Sequence, residues 1–203
     1  MTQAIVWEDI WCATAAQLER YRGAGLENLL TEDVVRFAAI QQLVAAGVNP
    51  RTLEAEWRRP GVPDAVDLVV SHPSFAAIEF KYPREPRETN AAWTQHLGEA
   101  LKDFYRLAHM PAQFTERWCV QLLSGRMRRY LDGVADRHGV RLGLAAGEST
   151  VLDPAEIRAL PATTHKGLGQ WLVDLSTVEA HCVAVHLVGR DLQLVVHSVN
   201  SVS

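Results

Sequence analysis

Two short stretches decide the reading of this chain: AVDLVV at residues 65–70 and FAAIEFKY at residues 75–82, separated by Ser71-His72-Pro73-Ser74. Both are runs of β-branched and apolar residues bounded by turn formers, which predicts two strands joined by a hairpin loop. Each carries charge where a buried strand ordinarily has none: Asp67 in the first, Glu79 and Lys81 in the second. Side chains two positions apart on a strand share a face, so Glu79 and Lys81 project together while Phe80 points away. Pairing across the loop brings Asp67 alongside Glu79.

Working outward, Leu53, Ala55 and Trp57 alternate with Glu54, Glu56 and Arg58, predicting a half-exposed strand before the pair. Gly61, Pro63 and Asp64 make the intervening turn. A helix precedes this meander, capped by Thr31, opening with Glu32 and Asp33, and closed by Gly47. An earlier helix spans Trp7 to Arg22. After the meander, Asn90 caps a helix running to about Ala108, with Leu97, Leu101, Phe104 and Leu107 as its apolar face, followed by a strand from Thr115 to Leu123 and an Arg-bearing helix from Ser124 to His138. The stretch from 140 to 176 predicts a strand near Leu142 and a short helix after Asp153-Pro154. Cys182–Leu187 and Leu192–Val199 predict a terminal hairpin turning at Gly189-Arg190-Asp191. The fold class is α/β: a mixed β-sheet core flanked by helices, at about 31–139, with an accessory C-terminal hairpin extension at about 140–203, all in one domain.

The bulk numbers place this in an ordinary globular protein, 48% hydrophobic over 203 residues, large enough for one sizeable core. No apolar run approaches the ~18 residues that span a bilayer, so no membrane partner is expected. The N-terminus MTQAIVWEDI has no basic segment of the secretory kind, and Cys12, Cys119 and Cys182 read as reduced thiols, which points to the cytoplasm. A net charge of −4 argues against a general nucleic-acid coat, but not against a locally acidic centre that holds cations. Only three of the 20 basic residues are lysines: Lys81, Lys102 and Lys166. A lysine retained inside an apolar strand of such a chain calls for a specific reason.

Chemistry supplies one. Asp67 and Glu79 offer hard oxygen ligands for Mg²⁺ or Mn²⁺, with the Phe80 main-chain carbonyl as a further ligand. Such a metal neutralises an attacked phosphate and acidifies a bound water, and Lys81 holds that water or takes its proton. The competing reading is a surface salt bridge between Glu79 and Lys81 on a half-exposed sheet, since an acid two positions before a lysine is common by chance.

With Pro63-Asp64, Asp67 and Glu79-Phe80-Lys81 in this order, the chain resembles the PD-(D/E)xK nuclease superfamily, which includes restriction endonucleases, archaeal Holliday-junction resolvases and RecB-like exonucleases. The likeness covers roughly residues 31 to 123. It implies a restriction-endonuclease-like fold, with Asp67, rather than the literal Asp64, as the acid before the hairpin. Glu32 then stands where many members place a glutamate on the preceding helix. Gln95 lacks the Tyr one turn later that RecB-like exonucleases carry, and reads as a solvated helix residue.

The resemblance further implies phosphodiester hydrolysis in a nucleic acid, DNA before RNA, in host defence or restriction first and repair second. A homodimer joined through the terminal hairpin and a partner protein that loads the chain on DNA are both compatible with it. Arg58, Arg59, Arg126, Arg128 and Arg129 are the candidates for DNA phosphates; solvated charge is the alternative for each. Lys102, with Asp103 beside it, reads as solvated. The rival function is a non-catalytic nucleic-acid-binding or assembly module that retains the fold.

Overall fold

The computed structural model describes residues 4–59, 64–83, 93–173 and 175–201. The Gly61, Pro63 and Asn90 expectations lie outside these residues. In chain order the main elements are α1 (Trp7–Gly23), α2 (Glu32–Ala45), β1 (Leu53–Arg58), β2 (Ala65–Val70), β3 (Ala76–Lys81), α3 (Trp93–Ala108), β4 (Glu116–Ser124), α4 (Gly125–Arg137), β5 (Ser149–Leu152), α5 (Pro154–Arg158), α6 (Ala162–Leu168), β6 (Val178–Val188) and β7 (Leu192–Ser201). The strands form one seven-stranded mixed sheet in the order β1-β2-β3-β4-β7-β6-β5. β3 and β4 pair in parallel and the other neighbours are antiparallel. Helix α3 is the crossover that a parallel pair requires.

Strand alternation divides the core in two. Ala76, Ile78 and Phe80 of β3, with Trp118, Val120 and Leu122 of β4, pack against α1 and α2. There Trp7, Trp11 and Trp118 form an aromatic cluster with ring centroids 5.5–5.9 Å apart. Ala77, Cys119 and Leu123 face the opposite side, where Leu97, Leu101 and Phe104 of α3 and Leu131 of α4 cover them. The apolar stripe read along α3 is therefore the stripe that is buried. Glu79 and Lys81 follow Ala77 on this second face, so the sheet presents two charged side chains toward α3.

Two expectations fail for identifiable reasons. No strand forms at Leu142. The backbone at Gly143 is satisfied by side chains instead: its N–H donates to Thr150 Oγ1 at 2.8 Å, and its carbonyl sits 2.7 Å from His197 Nε2. The strand of this region is β5, further along the chain. The terminal hairpin is also not an appendage. β7 pairs with β4 over seven residues, and Leu194, Val195 and Val196 are fully buried in the middle of the sheet. The C-terminal residues are core.

Candidate active site

Loop 71–74 closes the β2–β3 hairpin in a register that pairs Leu68 with Ile78 and Val69 with Ala77, so the next position along sets Asp67 across from Glu79. At Asp67 the ladder gives way to side-chain bonding: Oδ2 accepts the Phe80 N–H at 2.6 Å. On the other side, Glu56 of β1 holds a left-handed φ of 54°, a conformation that costs a side-chain-bearing residue energy and concentrates at functional sites. Phe80, expected to lend a carbonyl, thus meets Asp67 through its N–H.

Glu79 is 1% exposed, and its Oε2 accepts from Arg106 Nη1 at 2.7 Å. Its Oε1 is buried with no hydrogen-bond partner. Lys81 Nζ lies 3.5 Å from Glu32 Oε2 and 3.6 Å from Asp103 Oδ2. Glu32 reaches this point because Thr31 caps α2, its hydroxyl accepting the Val34 N–H at 3.3 Å. The same Glu32 oxygen accepts the Tyr82 N–H at 3.4 Å. Arg36, one turn further along α2, approaches the Asp67 carbonyl at 3.4 Å and its carboxylate at 4.0 Å, while pairing with Asp33 and Glu56.

The electrostatics follow from crowding. Burial pushes the Asp67 carboxyl up to about 6, with the Glu32 and Asp103 charges adding to the shift and the Phe80 N–H opposing it. Glu79 is raised well above the ordinary carboxylate range, first by burial and then by Asp103 and Asp67, against the pull of Arg106. Burial alone would lower the Lys81 pKa. Asp103, Glu32, Asp67 and Glu79 outweigh it, and the net shift is upward. Carboxylates that resist ionisation through burial first and one another second are what a bound cation would relieve.

The structure therefore brings together Asp67, Glu79, Lys81 and Glu32. Arg59 instead donates to the His109 carbonyl at 2.9 Å, and Arg128 donates to Gln193 at 2.9 Å. Arg58, Arg126 and Arg129 are exposed, Arg126 and Arg129 on the first turn and a half of α4, which begins at the carboxyl end of β4. Asp64 accepts from Gln170 at 3.2 Å and from the Trp171 indole at 3.3 Å, and lies 3.7 Å from Arg106. Gln95 donates to Glu99 at 3.0 Å. A cavity of about 290 Å³ opens beside Lys81 and Tyr82, against Gln121 and Leu131.

Asp103 and Arg106 are the residues that sequence reading missed. Asp103, noted only as the neighbour of Lys102, is fully buried between Lys81 and Arg106. The available signal was its spacing, three residues after Ala100 and four before Leu107, on the edge of the apolar stripe. The surface salt bridge between Glu79 and Lys81 is not what forms: Glu79 is buried and bonded to Arg106, while Lys81 turns to Glu32 and Asp103.

Comparison of the chain with protein-family models, curated proteins and solved structures gives no match. Among the described residues no group of three or more His, Cys, Asp or Glu is arranged to hold a metal ion. Two carboxylates, however, suit Mg²⁺, which keeps much of its water and binds through one or two carboxylates together with substrate phosphate. The unpartnered Glu79 Oε1 beside Asp67 fits that chemistry.

Proposed function

We propose that this chain is a metal-dependent phosphodiesterase, a nuclease of the PD-(D/E)xK type with a restriction-endonuclease-like core, acting on DNA. The observation that carries the reading is the meeting of Asp67, Glu79 and Lys81 on one face of the β2–β3 hairpin, with Glu32 delivered to Lys81 from α2. Their position next to the carboxyl ends of the parallel strands β3 and β4 is where open α/β sheets bind ligands.

Asp67 and Glu79 would hold Mg²⁺ or Mn²⁺, which when bound supplies positive charge to the phosphate and a more acidic water. Lys81, held as an ammonium by its carboxylate neighbours, donates hydrogen bonds to the attacked phosphate or the attacking water. Its raised pKa argues against a role as general base. Asp67, at about 6, is largely ionised at neutral pH and available as a ligand. The exposed Arg126 and Arg129 are suited to flanking phosphates. A role in host defence or restriction is the first biological reading, as a homodimer or with a partner protein.

One observation favours a second reading. Arg106 already neutralises Glu79, as it would in a non-catalytic module that keeps the nuclease fold for binding or assembly. Incubation with supercoiled and linear DNA in Mg²⁺ or Mn²⁺ separates the two. Cleavage by the wild type, reduced about 100-fold or more in Lys81→Ala and Asp67→Ala, is the expected result. Equal inertness of all three proteins across metals and substrates rules out catalysis by the isolated chain. Binding without cutting then supports the module, and activity only with an added partner supports a subunit role.

A further inference from the structure

Asp103 poses a question that burial alone does not answer. It sits on α3 with no solvent exposure, and neither of its oxygens has a hydrogen-bond partner. A carboxylate in that setting is costly unless it is paired. Its two oxygens face two different cations: Oδ2 lies 3.6 Å from Lys81 Nζ, and Oδ1 lies 3.7 Å from Arg106 Nη1. Arg106 in turn donates to Glu79, two residues before Lys81 on β3. Glu79, Arg106, Asp103 and Lys81 thus form an open chain of alternating acid and base that ties the crossover helix to the strand.

We propose that Asp103 is the positioning residue for Lys81, fixing the ammonium from the α3 side while it holds Arg106 on Glu79. Lys81 has a second anion in Glu32, but the Glu32 side chain is 41% exposed. A solvated partner constrains a flexible lysine weakly, whereas a buried one at a fixed helix position constrains it strongly. The α3 crossover therefore contributes to the geometry of the β3 lysine, and the site extends beyond the β2–β3 hairpin. The proposal takes Lys81 as a site residue and so rests on the nuclease reading for its consequence, though not for its geometry.

The chain's three lysines make a direct test simple. Proton–nitrogen correlation spectra of the lysine NH₃⁺ groups in ¹⁵N-labelled protein contain at most three signals, and Lys81→Ala assigns the one of interest. A resolved, slowly exchanging Lys81 signal is expected in the wild type. It is expected to persist in Glu32→Gln and to disappear in Asp103→Asn, or in Asp103→Ser should the asparagine variant not fold.

A wild-type Lys81 signal exchanging as fast as those of Lys102 and Lys166 overturns the proposal. So does a signal that survives loss of Asp103, or one that is lost in Glu32→Gln. In cleavage assays Asp103→Asn is expected to lower kcat roughly 100-fold with KM within about twofold, the mark of lost orientation rather than lost binding. If the wild type cuts nothing, with or without an added partner, while the NH₃⁺ pattern holds, the nuclease reading fails and the positioning role of Asp103 stands.

Discussion

Asp67 and His197 are both shifted by burial, and the two shifts act on stability in opposite directions. Asp67 ionises near 3.8 in an unfolded chain and near 6 in the folded one. A raised carboxyl favours the fold in acid, and that contribution is lost as pH climbs from about 4 through 6. At about 1.36 kcal/mol per unit, the charged Asp67 costs about 3 kcal/mol at neutral pH. His197 is fully buried near Gly143 and against the Phe104 ring, and burial lowers it from 6.5 to about 4. Its contribution is complete above about 6.5 and is lost as pH falls toward 4, also by about 3 kcal/mol. Urea unfolding between pH 4 and 7 in a chelator measures both. Asp67→Asn, which keeps an acceptor for the Phe80 N–H, is expected to be more stable than wild type at pH 7, with the gap closing toward pH 4. His197→Gln is expected to lose the acid-side decline. A gap for Asp67→Asn that does not change with pH contradicts the burial argument.

Among the elements, α2 and the β2–β3 hairpin were legible because their signals are local. Thr31 and Glu32 mark a helix start, and the 65–70 and 75–82 runs mark strands by composition alone. α3 was legible as a helix with the correct buried stripe, but its partner on the other side was not. Gly98 and Gly167 show why: α6 crosses α3 so closely that a methyl group on Gly98 would collide with the Thr164 carbonyl, and one on Gly167 with the Gln95 carbonyl. In sequence Gly98 reads only as a weak point in a helix, whereas in the fold it is the contact between two helices. Gly98→Ala would raise helix propensity in isolation, yet is expected to destabilise the protein by about 1–3 kcal/mol through overpacking. Thermal unfolding decides between the two signs. Since Asp103 and Arg106 lie one to two turns along the same helix, the proposed cleavage activity is expected to fall with stability.

For the whole molecule, the position of β7 carries the largest consequence. As an accessory hairpin, residues 178–201 would be dispensable. As β6 and β7, which stand between β4 and β5 in the sheet, they cannot be removed without exposing the β4 edge and opening both cores at Val120 and Cys119. A chain ending at residue 176 is expected to be unfolded or aggregated by circular dichroism and size-exclusion chromatography. A folded, monomeric truncation would restore the accessory reading. The sequence by itself determined the α/β class, the helix and strand order through residue 139, and the grouping of Asp67, Glu79 and Lys81, because turns, caps and strand periodicity act over a few residues. Tertiary structure alone decided that the terminal hairpin enters the sheet, that Gly143 is bonded by side chains instead of a ladder, and that Asp103 and Arg106 link Lys81 to Glu79 across the α3 face. Those outcomes depend on which distant surfaces bury one another; apart from its place at the edge of the α3 stripe, Asp103 reads in sequence like any helix carboxylate until the partner cations are placed beside it.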